Sequence, residues 1–92
     1  MTDPNIAQSA KKFERIRKAH QSEVAEDYVE MIADLIERTG EARAVDLASL
    51  FGVTAPTVNA TIRRLQKDGL VISRPYRSIF LTPEGEQLAK SC

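Results

Sequence analysis

Two sets of residues in this chain have types and spacing suited to chemistry. The first lies in VTAPTVNATIRRLQKDGLV, Val53 to Val71, where Thr54 and Thr57 carry hydroxyls, Asn59 an amide, and Arg63, Arg64 and Lys67 positive charge. Such side chains suit nucleic acid. Threonine bonds to any base edge and touches the thymine methyl, asparagine pairs with adenine, and arginine or lysine binds guanine or neutralises phosphate. A good bidentate base contact discriminates by about 1–3 kcal/mol. The second set is His20, Glu23, Asp27, Glu30 and Asp34, at spacings of three, four, three and four, which form one stripe of a helix. Stacked like charges repel by a few tenths of a kcal/mol per pair. Asp27 and Glu30 could offer two hard oxygens to a divalent metal, but a stable Mn²⁺ or Mg²⁺ site wants about six ligands. A partial metal site and a plain solvated acidic face both remain open for these residues. No Cys/His or Ser/His/Asp grouping and no glycine-rich phosphate loop is present, so an enzyme is not expected.

The nucleic-acid set needs a helix with two distinct sides. Thr54 is a good N-cap, and Pro56 falls in the first turn, where its missing N–H costs nothing. Val58, Ile62 and Leu65 then take the core side, and Gly69 stops the helix. That leaves Pro56, Thr57, Asn59, Ala60, Arg63, Arg64 and Lys67 wholly or partly outside. Upstream, Val24, Tyr28, Met31, Ile32, Leu35 and Ile36 predict a helix from about Phe13 to Arg38, stopped by Gly40. Val45, Leu47, Ala48, Leu50 and Phe51 predict a two-turn helix ended by Gly52. Downstream, LVISR and SIFLT flank PYR and predict a hairpin, with Arg74, Tyr76 and Arg77 at or near its tip, placed for phosphate or minor-groove contacts. Thr82, Pro83 and Glu84 open a final helix. Residues 1–12 lack sustained periodicity and read as a mobile tail before one domain, 13–92. The class is mainly α with a small β-hairpin, and the element order is that of a winged helix-turn-helix.

Ninety-two residues with 42% hydrophobic content suit one core without disulfides. The single cysteine, Cys92, has no intrachain partner, which fits a reducing, cytoplasmic setting. There is no apolar run of membrane-spanning length and no signal-peptide pattern. Net charge is zero, but its distribution is uneven. Residues 1–19 carry five Lys/Arg against two acids, residues 20–50 two against eight, and residues 51–92 six against three. A cation-rich face near the opening stretch and a carboxylate-rich face near the middle could serve two different partners or simply be solvated helix charge, and a winged-helix module that docks only proteins is the alternative function.

The segment EDYVEMIADLIERTGEARAVDLASLFGVTAPTVNATIRRLQKDGLV, followed by YRSIFLTPEGEQLA, resembles the N-terminal DNA-binding domain of the diphtheria toxin repressor family, in its manganese transport regulator branch. The likeness runs from about His20 to Ala89. It implies a cytoplasmic, metal-dependent transcriptional repressor that forms a homodimer, binds palindromic double-stranded operators and controls metal-uptake genes. It also implies that Asp27 and Glu30 are metal ligands. Iron-responsive relatives have methionine where this chain has Asp27, so the resemblance points to Mn²⁺, in keeping with ligand hardness. Pro56, Thr57, Arg64 and Lys67 match family positions that face DNA. The family's other ligands and most of its dimer interface fall beyond Cys92, so the chain is expected to be one domain of a longer protein and a weak metal binder by itself.

Overall fold

The computed structural model describes residues 4–74 and 78–91. Helix α1 spans Pro4–Thr39, α2 Ala44–Phe51 and α3 Ala55–Lys67; strands β1 (Val71–Ile72) and β2 (Phe80–Leu81) follow, then α4, Pro83–Ser91. The strands pair antiparallel, with Val71 opposite Leu81 and Ile72 opposite Phe80. Three helices, a hairpin and a closing helix are the expected winged helix-turn-helix.

The core is small and drawn from every part of the body. Tyr28, Ile32, Ala42, Leu47, Val58, Ile62, Leu65, Val71 and Ile79 form one buried cluster, with Leu35, Ile36, Phe51 and Leu81 packed around it. Each of α1, α2, α3 and the hairpin contributes, so none of them buries its apolar side alone. Tyr28 of α1 stacks on Phe51 of α2, with ring centroids 4.6 Å apart and planes inclined by 19°. A pair of this kind adds about 0.5–1.5 kcal/mol beyond the area it buries. It also fixes α1 against the end of α2.

Helix α1 begins well before the predicted start near Phe13. Its backbone is helical through residues 4–12, the stretch expected to be an aperiodic tail. Periodicity reports burial, and among the described side chains of this part none is buried: Lys12, Glu14, Arg15, Ile16 and residues 19–23 are exposed, and Val24 is the first half-buried one among them. Extending a formed helix needs only one hydrogen bond per residue fixed, and Pro4 stands at the first position, where proline is tolerated. The result is a helix of 36 residues, about 54 Å at 1.5 Å per residue. Its first half overhangs the body.

Two further differences concern short elements. Each strand is two residues long, because the hairpin leans on the body rather than on a wider sheet: the Ile79 N–H donates to the Ala42 carbonyl at 2.8 Å. Val45 and Leu50 of α2 are 62% and 54% exposed, so its two-turn helix buries Leu47 and leaves both of these apolar residues outside.

Candidate nucleic-acid interface

The turn between α2 and α3 is closed by backbone bonds. Gly52 adopts φ 66°, and the N–H groups of Gly52 and Val53 donate to the carbonyls of Ser49 and Ala48 at 3.4 and 3.0 Å. This is a Schellman ending, and it needs a left-handed residue that glycine supplies without a Cβ penalty. Two residues later Thr54 caps α3. Its Oγ1 accepts the Thr57 N–H at 3.4 Å and shares a 2.9 Å hydrogen bond with the Thr57 hydroxyl. Pro56 lies in the first turn. The far end of α3 closes in the same manner as α2: Gly69, at φ 75°, donates to the Gln66 carbonyl, and Leu70 to that of Leu65.

Between these ends α3 has the expected two sides. Val58, Ile62 and Leu65 are buried. Thr54, Pro56, Thr57, Asn59, Ala60, Arg63 and Lys67 are exposed. Asn59, Arg63 and Gln66 also line a long open groove between α3 and the hairpin, whose other wall includes Arg43, Ser73 and Arg74. Gln66 bridges the groove at one end, donating from Nε2 to the Ser73 carbonyl at 3.0 Å. Three arginines thus converge on one concave surface beside the outward face of α3, the arrangement a phosphate backbone needs to be gripped next to a helix in the major groove. Tyr76 and Arg77 fall outside the described residues.

Arg64 stands only partly outside, apart from the fully exposed residues of this face. It is half-buried and lies in a cleft bounded by Gln21, Ser22, Ala25 and Glu26 of α1, Asp68, and Leu88 of α4. Its Nη2 is fully buried without a hydrogen-bond partner. Counting around α3 puts this position outside the core face but on its edge, and the crossing of α1 and α4 over that edge covers it. A helix examined by itself has no such neighbours.

Sequence reasoning passed over one cluster. Arg43 precedes α2 in extended conformation and pairs with Glu41, Nη2 to Oε1 at 2.6 Å. The other Glu41 oxygen accepts the Ser78 hydroxyl at 3.1 Å. The hydrogen bond from Ser78, then that from Arg43 and its charge, hold the Glu41 carboxyl below the usual carboxylate range. Glu41 therefore joins the hairpin to the entrance of α2 and orients Arg43 toward the groove. The signal in EARAV was slight, because Ser78 is 37 residues away from Glu41.

At the exit of the hairpin, Thr82 makes three bonds. Its N–H donates to the Leu70 carbonyl at 3.1 Å, its hydroxyl donates to the Gly69 carbonyl at 2.5 Å, and its Oγ1 accepts the Gly85 N–H at 3.0 Å, capping α4 as expected. Gly85 is buried against the Leu70 carbonyl, where a Cβ would collide. The end of α3, the hairpin and α4 are thereby held at one junction.

The acidic stripe is less complete. Asp27 and Glu30 are exposed on α1 either side of the buried pair Tyr28 and Val29. Asp34 is engaged with Arg38, Oδ1 to Nε at 3.1 Å. His20 and Glu23 are exposed. Among the described residues no three of His, Cys, Asp and Glu group to hold a metal. Asp27 and Glu30, one turn apart and both oxygen donors, fit a hard divalent cation as part of a ligand set. No helix among the described residues is long and apolar enough to cross a membrane.

Residues 20–79 match a family described as iron-dependent repressor, N-terminal DNA-binding domain. The chain is 46% identical over 86 residues to the transcriptional regulator MntR of Salmonella typhimurium, covering 94% of this chain and 55% of that protein. It is 40% identical over 65 residues to the HTH-type transcriptional regulator MntR of Lysinibacillus sphaericus, covering 71% of this chain and 47% of the relative. Among solved structures it is similar to the manganese regulator SloR, with TM-score 0.63 and 31% identity over 73% of this chain and 31% of SloR. The chain spans about half the length of the curated relatives it matches.

Proposed function

Since the chain belongs to the iron-dependent repressor family through that family's N-terminal DNA-binding domain, we propose that it supplies the operator-reading part of a manganese-responsive transcriptional repressor in the cytoplasm. The observation that carries this reading is the outward face of α3. Thr57, Asn59 and Ala60 stand near its capped N-terminus, Arg63 and Lys67 lie further along, and the groove with Arg43 and Arg74 runs beside it. In this reading the first turns of α3 enter the major groove, Thr57 and Asn59 meet base edges, and the arginines and Lys67 neutralise phosphates. Arg74, with Tyr76 and Arg77 following it in sequence, grips the flanking backbone. The domain acts by binding, without catalysis, and its family favours DNA over a purely protein-docking role.

The metal half of the proposal is supported by the donor chemistry of Asp27 and Glu30 and by the likeness to the manganese regulator SloR. These two carboxylates would hold part of the Mn²⁺ coordination sphere, the remaining ligands coming from elsewhere in a complete repressor. A bound metal would supply positive charge for these two carboxylates and those ligands to share. Within the chain, the Tyr28–Phe51 stack connects that turn to α2 and so to the reading helix. In a homodimer two such domains would meet the half-sites of a palindromic operator about one helical turn apart.

Fluorescence anisotropy with duplex DNA across a salt series tests the DNA reading. Binding should weaken steeply with salt, and Arg63→Ala and Lys67→Ala should each lower both affinity and the salt slope. Affinity unchanged by both substitutions sinks the assignment of this face. For the metal, Mn²⁺ calorimetry on a complete repressor should show a large loss of affinity for Asp27→Ala; equal affinities exclude Asp27 as a ligand.

A further inference from the structure

Glu41 is out of place on a surface that meets phosphate. Among the described residues lining the groove between α3 and the hairpin it is the one acid, beside Arg43, Arg63 and Arg74. By charge alone, a carboxylate there opposes a polyanion. Its bonds point the other way.

Both Glu41 oxygens are engaged. Oε1 accepts Arg43 Nε at 2.8 Å and lies 2.6 Å from Arg43 Nη2, while Oε2 accepts the Ser78 hydroxyl at 3.1 Å. Arg43 therefore gives the Nε edge of its guanidinium to Glu41. The edge formed by Nη1 and Nη2 keeps donors in the parallel arrangement that suits two phosphate oxygens, and the side chain is 61% exposed. The main chain on either side is already fixed: the Ala42 carbonyl accepts the Ile79 N–H at 2.8 Å, and the Arg43 carbonyl accepts the N–H groups of Asp46 and Leu47 at 3.1 Å. Only the long side chain of Arg43 is left to be ordered, and ordering such a side chain at the moment of binding costs affinity.

We propose that Glu41 is a positioning residue for DNA, which holds Arg43 with its terminal edge free for a backbone phosphate and, through Ser78, holds the hairpin wall in step with that contact. The carboxylate itself touches no DNA. Its charge is matched by Arg43 at close range, so its repulsion of phosphate is weak, whereas an untethered Arg43 has to be immobilised by the DNA. Removing this one acid from the groove therefore weakens DNA binding instead of strengthening it. The inference rests on the reading of this chain as a DNA-binding domain.

The test is a double-mutant cycle on the 92-residue chain, with a mixed-sequence duplex of about 30 base pairs, roughly three helical turns. Affinity is read by anisotropy at about 0.1 M salt. Arg43→Ala should weaken binding roughly 10-fold. Glu41→Ala should weaken it roughly 3- to 10-fold although it removes a negative charge, and Glu41→Gln, which keeps an acceptor for Arg43, should weaken it less. With Arg43→Ala already in place the sign should reverse: Glu41→Ala then removes an unpaired carboxylate and should strengthen binding about 2- to 5-fold. Ser78→Ala changes no charge and should lower affinity about twofold, and only where Arg43 is present. Stronger binding by Glu41→Ala in the parent overturns the proposal and makes the carboxylate a plain repulsive charge. Equal losses with and without Arg43 overturn it too, because they confine Glu41 to holding the hairpin, and so does an unchanged affinity. Thermal melting checks that each variant is folded, and Glu41→Gln with Ser78→Ala carries the same comparison should Glu41→Ala unfold. If the parent does not bind the duplex at all, the DNA reading itself fails, whereas a binding parent in which Glu41 acts alike in both backgrounds removes only the positioning role.

Discussion

Helices α3 and α1 both carry a polar stripe beside an apolar one, yet they present their chemistry in opposite states of completeness. Both ends of α3 are closed, by Thr54 and by the Gly69 ending, and its core side is fully buried, so its outward residues stand on a rigid base. The acids of α1 have the same rigid base, since Tyr28, Val29 and Ile32 are buried between and below them. What they lack is company: two exposed carboxylates at Asp27 and Glu30, with Asp34 already paired to Arg38. A reading surface can be assembled from one helix and the hairpin beside it. A hard-metal site needs ligands from several directions. Rigidity is therefore common to both regions, and only the number of converging elements separates a finished surface from a partial one.

The strongest way to break this contrast is to remove its shared base. Leu65→Ala and Ile32→Ala each empty a buried position, one under each helix, and should cost about 2–5 kcal/mol by denaturant unfolding. A difference of more than about threefold between them would mean that the two helices are not anchored alike. Next in size, Lys67→Ala should weaken DNA binding about tenfold, or about 1.4 kcal/mol, at unchanged melting temperature. Arg64→Ala, from inside the cleft, should alter thermal stability as well as affinity, and a melting temperature equal to the parent's would return Arg64 to the outward face. Thr54→Ala removes the cap of α3 and should cost about 1 kcal/mol, read by thermal unfolding. Smallest of all, Asp27→Ala should change the stability of this chain by no more than about 0.5 kcal/mol, because an exposed acid without a hydrogen bond or ion pair among the described residues supports little.

Acid sensitivity distinguishes the hairpin from both helices. The Glu41 carboxyl titrates below its unfolded value because Ser78 and Arg43 bond to its charged form. Its contribution is therefore fully present above the unfolded pKa and is lost as pH falls through the lowered folded value. Glu41→Gln should flatten that part of the acid-unfolding curve and leave stability near neutral pH little changed. A curve identical to the parent's would remove Glu41 as the tie between hairpin and α2.

Much of this architecture was legible because local chemistry and global fold agree at the ends of elements. Gly52 and Gly69 mark endings that demand a left-handed residue, Thr54 and Thr82 are caps whose hydroxyls find the expected N–H groups, and Val58, Ile62 and Leu65 recur at helical spacing because one side is buried. What stayed hidden depends on residues far apart in sequence. The Glu41–Ser78 bond and the Tyr28–Phe51 stack leave no local pattern. The cleft around Arg64 was hidden because a helical wheel knows nothing of the α1 and α4 residues beside its edge. The early start of α1 escaped for the opposite reason: its described side chains before Val24 are exposed, and exposed positions set no periodicity to read. The pair Asp27 and Glu30 was visible as chemistry, but spacing alone could not tell a ligand pair from a solvated face, and the family resemblance made that choice.

The closed turn before α3 has a practical consequence for redesign. The angle between α2 and α3 is held by main-chain bonds at Gly52 and Val53 and by the Thr54 cap, and the outward positions Asn59, Ala60 and Arg63 take no part in it. Those positions therefore behave as an exchangeable cassette. Randomising them in a library, with Val58, Ile62 and Leu65 kept, should yield variants of near-parental stability that prefer new operator sequences.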